Sequence, residues 1–249
     1  MKYILIQADG MPDRPIKELN NKTPLQAANT PTIDKITSVS EVGSVNHIPE
    51  GFKSGSDVGN LSVLGYDPRK YFTGRSPLEA ASIGIDLGPN DIAYICNLIN
   101  LVKTNGHLIM EDYSAGHIET SKAKKIIDYL KKNMDDHEFI LYPGVSYRHI
   151  LIWKEGKMNL ETTPPHDILE KNIENFIPKG HDSRKIDEFM RKANTLITKL
   201  RSEDSEIRNV KVSDIWLWGQ GKKTSLPSFF DLTKKTGSVI SAVDLVKGI

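Results

Sequence analysis

Tyr3-Ile4-Leu5-Ile6-Gln7-Ala8-Asp9-Gly10-Met11-Pro12-Asp13-Arg14-Pro15 is the stretch on which the fold of this chain turns. A short apolar run closed by an Asp-Gly pair is the pattern of a buried strand ending in a turn. Such a strand carries the Asp9 carboxylate at its C-terminal tip, where α/β sheets present their ligands. A hard anionic oxygen there suits Mg²⁺ or Mn²⁺ and can serve Zn²⁺. Taken alone, Asp9 reads first as a turn residue beside Gly10, and Asp13 as a loop residue before Arg14.

Further along, Ser54-Gly55-Ser56-Asp57-Val58-Gly59-Asn60-Leu61-Ser62 is a small-residue loop opening a helix. A serine at a helix start is ordinarily an N-cap. The same geometry serves chemistry: Gly55 admits a ligand, the helix N-terminus favours an oxyanion, and the Ser56 hydroxyl faces it. A bound metal would make that hydroxyl a nucleophile. Asn60, one turn on, offers a neutral donor to phosphoryl oxygens or is simply a helix-surface residue.

Between and beyond these segments the pattern alternates. Leu25 to Ile36 reads as a helix restarted at Pro31, Gly43 to Ile48 as a strand, and Val58 to Leu64 and Pro77 to Ile83 as helices. Ile92 to Val102 and His107 to Asp112 form a hairpin through Asn105-Gly106. Alternating strands and helices predict an α/β domain with a largely parallel sheet. The texture changes near Ser114-Ala115-Gly116. Thr120 to Met134 and His181 to about Arg201 are amphipathic helices flanking strands at Glu138 to Tyr142 and Tyr147 to Lys154, an α+β unit. Phe229 to Lys235 reads as a helix, Ser238 to Ser241 as a buried strand and Ala242 to Val246 as a helix start, a return to the first pattern. Residues 1–115 are thus read as the N-terminal part of a core, 116–228 as an inserted α+β domain and 229–249 as the core resumed.

With 249 residues there is enough chain for a sizeable core. Lys plus Arg number 33 against 32 Asp plus Glu, so the +1 balance argues against nucleic acid and membrane surfaces as partners. A single cysteine, Cys96, excludes an internal disulfide and suits a reducing cytosol. It lies in Ile92-Ala93-Tyr94-Ile95-Cys96 and reads as a buried thiol. The N-terminal apolar run is too short for a signal sequence and no stretch approaches a membrane span, so a cytoplasmic location is expected.

The flanks sharpen the reading. Lys22-Thr23-Pro24-Leu25-Gln26-Ala27-Ala28-Asn29-Thr30-Pro31 follows Asp9-Gly10-Met11. Pro49-Glu50-Gly51 precedes Gly55 to Pro68, and Thr73-Gly74-Arg75-Ser76-Pro77-Leu78-Glu79-Ala80-Ala81 follows. Later come Cys96-Asn97-Leu98, Ser114-Ala115-Gly116-His117-Ile118, Tyr142-Pro143-Gly144-Val145-Ser146-Tyr147-Arg148-His149, Thr163-Pro164-Pro165-His166-Asp167 and Trp216-Leu217-Trp218-Gly219-Gln220-Gly221. Over essentially its whole length the chain resembles the archaeal-type cofactor-independent phosphoglycerate mutases of the alkaline phosphatase superfamily.

The resemblance implies an alkaline-phosphatase-like core, incomplete in these residues, with a smaller inserted domain closing over the substrate. It implies interconversion of 3-phosphoglycerate and 2-phosphoglycerate without 2,3-bisphosphoglycerate, through a phosphorylated Ser56. Asp9 and Ser56 match metal ligands, and Arg75, His117, Arg148 and His166 fall in motifs expected to line the substrate site. A phosphate and a carboxylate on one small substrate suit arginine grips. Arg75 as a loop cation and Arg148 on an exposed strand face remain open, and Trp216 and Trp218 read as packing. Family members extend further and draw most ligands for two divalent metals (Mn²⁺, Mg²⁺ or Zn²⁺) from that extension. His117, His149, His166 and His181 lie in the apparent insertion and are not read as substitutes. A homo-oligomer or a chain supplying the other core half is an expected partner. A related phosphatase or phosphotransferase, a binding subunit or an incomplete fragment are the alternatives.

Overall fold

A computed structural model describes residues 2–8 and 10–249. The chain divides into two compact units, residues 1–46 and 47–249, each described by itself.

In the first unit, helix α1 spans Pro24–Ala27 and α2 spans Pro31–Thr37. The Thr23 side chain accepts from the Gln26 N–H while the Gln26 side chain accepts from the Thr23 N–H, a capping box, and a proline begins each helix. The Thr-Pro-Leu-Gln motif therefore has a local structural cause. Tyr3, Ile4, Leu5 and Ile6 are exposed and carry no strand pairing.

The second unit runs α3 (Ser56–Val63), α4 (Pro68–Tyr71), α5 (Ser76–Ser82), β1 (Ile92–Thr104), β2 (His107–Asp112), α6 (Thr120–Met134), β3 (Phe139–Tyr142), β4 (Arg148–Trp153), β5 (Leu160–Glu161), β6 (Lys179–Gly180), α7 (Ser183–Glu203), β7 (Asp214–Lys222), α8 (Phe229–Thr233) and α9 (Asp244–Lys247). Strand β1 is central. It turns into β2 through Asn105 and Gly106, both at positive φ, as a two-residue type I′ hairpin requires. β4 and β7 also pair with it, and β3 pairs with β4.

Every strand pairing among the described residues is antiparallel, which corrects the largely parallel sheet expected from the sequence. The reason is pairing partners. The stretches read as core strands, Tyr3 to Gln7, Gly43 to Ile48 and Ser238 to Ser241, find no ladder neighbour here, and a parallel strand cannot exist without one. The chain is thus mixed α/β with a mostly antiparallel sheet. That sheet joins β1 and β2 to β3, β4 and β7, so it crosses the position near residue 115 where the sequence texture changes.

Helices α6 and α7 pack together, and their apolar stripes bury Ala123, Ile126, Ile127, Leu130 and Met134, and Ile186, Phe189, Met190, Ala193, Ile197 and Leu200. Phe139 stacks on Trp153 and meets Phe189 at 5.0 Å. Full burial of each large side chain is worth about 1.5–3 kcal/mol. Alternation along the strands then sorts the sheet's two faces. Cys96, His149 and Leu217 are cross-strand partners on one face, and Asn97, Arg148 and Trp216 on the other. Helix α5 lies against β1, β4 and β7, with the Ser76 hydroxyl donating to the Ala93 carbonyl. No described helix is long and apolar enough to cross a membrane.

Candidate functional site

The face of the sheet that carries Asn97 and Arg148 gathers side chains from distant segments. Arg75 arrives on the turn before α5. Thr73 Oγ1 donates to the Lys222 carbonyl, and Gly74 lies so close to β7 that a Cβ would sit 2.1 Å from the Gln220 carbonyl oxygen. Only glycine fits there, which explains the Thr-Gly-Arg-Ser-Pro order. The Arg75 guanidinium stands 5.2 Å from the Trp218 ring centroid and its Nε donates to Glu79 Oε1 at 2.7 Å.

His166 lies on the 3₁₀ turn Pro165–Ile168. The loop before it is pinned to β7, because Trp216 Nε1 donates to the Thr163 carbonyl and the Gly219 N–H to Thr162 Oγ1. Its ring meets Trp218 edge-on at 5.3 Å and Tyr113 at 6.0 Å. Tyr113 meets Tyr147 at 5.9 Å, and Tyr147 in turn touches His117 at 6.1 Å and the Arg148 guanidinium at 5.1 Å. Arg148 Nη2 donates to the Tyr147 hydroxyl. Four residues expected from sequence, Arg75, His117, Arg148 and His166, are therefore joined through Trp218, Tyr113 and Tyr147.

The loop that delivers His117 is organised by Asp112. Its carboxylate accepts from the Ser114 N–H and hydroxyl and from the Gly116 N–H, while Ala115, Gly116 and His117 all adopt positive φ. Burial opposes ionisation of Asp112, but the Ser114 and Gly116 hydrogen bonds and nearby His117 outweigh it, so its pKa is lowered. The His166 pKa is also lowered. Burial is the main cause, Asp167 opposes it, and Arg75 and Arg148 reinforce it.

Among the described residues no hydrogen bond or ion pair joins Ser56 or Asn60 to this cluster. Gly55, not Ser56, is the N-cap of α3, and Ser56 is the first helical residue, exposed. Asn60 is buried and its Nδ2 donates to the Ser56 carbonyl at 2.6 Å. That amide nitrogen is thus turned onto its own helix. Asp9 lies outside the described residues. Among the described residues no group of three or more His, Cys, Asp or Glu side chains is arranged to hold a metal ion. The donors among the described residues therefore do not make up a two-metal site. His149 is buried on the opposite sheet face, with Nδ1 accepting from the Gly144 N–H.

Sequence reading missed Trp218, Tyr113, Tyr147, Asn97 and Glu79 as members of the site. Tyr147 has a signal, its place beside Arg148, and Glu79 has one in its i,i+4 spacing from Arg75; the others look like packing residues until the strands are paired.

Two guanidiniums and two imidazoles thus share one aromatic frame, and guanidiniums as a class pair with anionic oxygens. The family model described as 2,3-bisphosphoglycerate-independent phosphoglycerate mutase matches residues 38–201, and the chain belongs to that family. A probable 2,3-bisphosphoglycerate-independent phosphoglycerate mutase of Geobacter sulfurreducens is 47% identical, across 100% of this chain and 63% of the relative. The Methanosarcina barkeri enzyme of that name is 43% identical, across 100% of this chain and 62% of its own length. The chain thus spans under two thirds of these relatives. A solved protein from Pyrococcus horikoshii superposes with a TM-score of 0.68 at 25% identity, covering 96% of this chain and 56% of that one. The cofactor-independent phosphoglycerate mutase from Thermoplasma acidophilum gives 0.51 at 24% identity, covering 96% and 65%, a likeness of fold.

Proposed function

We propose that this chain forms the nucleophile-bearing and substrate-gripping part of a phosphoglycerate mutase that interconverts 3-phosphoglycerate and 2-phosphoglycerate without 2,3-bisphosphoglycerate, a glycolytic and gluconeogenic step. The observation that carries the reading is the joining of Arg75, His117, Arg148 and His166 through one aromatic frame. Family membership supports the choice of substrate.

In the proposed mechanism Ser56 Oγ attacks phosphorus in line. The bond to the phosphoglycerate oxygen breaks, that oxygen takes up the proton the Ser56 hydroxyl gives up, and phosphoserine and glycerate result. Arg75 and Arg148 hold the anionic groups, and the first turn of α3 offers its N–H dipoles to the phosphoryl oxygens. Glycerate stays held and turns, and its other hydroxyl takes the phosphoryl group back. Exclusion of water by the inserted unit keeps the reaction a transfer rather than a hydrolysis.

Further parts of the proposal concern the whole protein. An alkaline-phosphatase-like core would include residues before β1 and after about 228. The inserted unit would begin at β1, because β1 pairs with β4 and β7. Divalent metals, Mn²⁺, Mg²⁺ or Zn²⁺, would need ligands beyond the described set, together with Asp9 and Ser56. A second copy or another chain would be the macromolecular partner, and the cytoplasm the location.

Ser56→Ala in the whole protein is expected to abolish conversion of 3-phosphoglycerate while binding persists. Full conversion by that variant would remove Ser56 from the mechanism. Release of inorganic phosphate in place of transfer would make the protein a phosphatase.

A further inference from the structure

An arginine that grips an oxyanion bidentately must present its guanidinium plane at a set angle, yet its long stem carries considerable rotamer entropy. Arg75 is held in two ways. Its Nε is fixed by Glu79, with side chains only 18% and 8% exposed. Its plane stands over the Trp218 ring at 5.2 Å. The terminal Nη groups of Arg75 make no hydrogen bond to any described residue.

The ring is itself held. Trp218 Nε1 donates to Asn97 Oδ1 at 3.1 Å, and Asn97 Nδ2 donates to the Tyr113 carbonyl at 3.0 Å. Asn97 is 2% exposed and spends both ends of its amide on these bonds. Directly after Trp218 the β1–β7 register shifts, with Gly219 at positive φ, a bulge of the kind that re-aims a neighbouring side chain. A tryptophan serving the core alone needs an acceptor for its indole N–H but no cation on its face.

We propose that Trp218 is a positioning residue for Arg75: its ring face, keyed by Asn97, sets the guanidinium plane so that the terminal nitrogens meet a substrate oxyanion. The inference rests on the reading of Arg75 as a substrate grip.

The test is a double-mutant cycle on the whole protein, with 3-phosphoglycerate titrated calorimetrically and KM and kcat measured alongside. Thermal melts confirm that each variant is folded. A cation–π contact of this exposure predicts roughly three- to tenfold weaker binding for Trp218→Leu, seen in KM more than in kcat. Trp218→Phe keeps a ring face and should recover most of that loss. In an Arg75→Ala background, itself weakened about tenfold or more by loss of a charged hydrogen bond, Trp218→Leu should add nothing. Additive losses would mean that Trp218 acts by packing or through His166 rather than through Arg75, and would overturn the proposal. So would Trp218→Phe as damaging as Trp218→Leu. Unchanged affinity in Arg75→Ala would overturn both the proposal and the substrate-grip reading, which separates the two failures.

Discussion

His166 stands between two permanent cations and half out of water, and that placement makes its protonation a probe of the site. Burial and the charges of Arg75 and Arg148 depress its pKa. Replacing Arg148 with Ala removes one of these causes, so the His166 pKa should rise, read by NMR titration of the ring; a fall or no change would put Arg148 elsewhere. His149 works differently. Its ring is 1% exposed, its Nε2 has no hydrogen-bond partner, and burial pushes its pKa from 6.5 down to about 3. The folded pKa lies below the unfolded one, so the unfolded chain binds the extra proton. The stability involved is complete above pH 6.5 and is lost as pH falls toward 3. His149→Gln should flatten the acid side of the stability curve by about one proton, roughly 1.4 kcal/mol per pH unit; an unaltered slope would contradict this. Arg75 and His166 were legible through the family motifs that hold them, and the structure brings both against the Trp218 ring. Trp218 and Asn97 were not, because an alternating aromatic and a strand amide show a partner only after β1 and β7 are paired.

At the scale of elements, the turn from Asp112 to Ile118 is the clearest case of unusual backbone held by one side chain. Three consecutive positive φ values, two of them at non-glycine residues, persist because one carboxylate satisfies the donors of Ser114 and Gly116. Asp112→Ala leaves those donors unmatched and should cost about 1–3 kcal/mol, with faster amide exchange confined to residues 112–118. Unchanged stability and exchange would mean that the loop holds itself. The Asp112 pKa is lowered, so its contribution is present above the ordinary 3.8 and lost as pH falls through the lower folded value. Long helices α6 and α7 and the Asn105-Gly106 hairpin were legible because their signals are local periodicity and turn chemistry. The expected strands at Tyr3, Gly43 and Ser238 were not resolved by such signals. Strand pairing is a contact with a distant segment, and these runs lack one among the described residues.

At the scale of the whole molecule, those same runs carry a consequence. Tyr3, Ile4, Leu5 and Ile6 in one unit, and Val239 and Ile240 in the other, are exposed apolar side chains outside any strand pairing. Unpaired apolar edges invite association. These 249 residues alone should therefore self-associate with rising concentration and bind an apolar dye, measured by light scattering and fluorescence. A monodisperse, dye-silent monomer would contradict this expectation. The claim on which the rest depends is that Ser56 carries the phosphoryl group. The most direct test is to mix the whole protein with 3-phosphoglycerate, quench in acid, and map phosphate by peptide mass spectrometry. The account predicts one phosphoryl group on Ser56, absent from Ser56→Ala. Phosphate on another residue, or turnover with no phosphoenzyme at any time point, would contradict it.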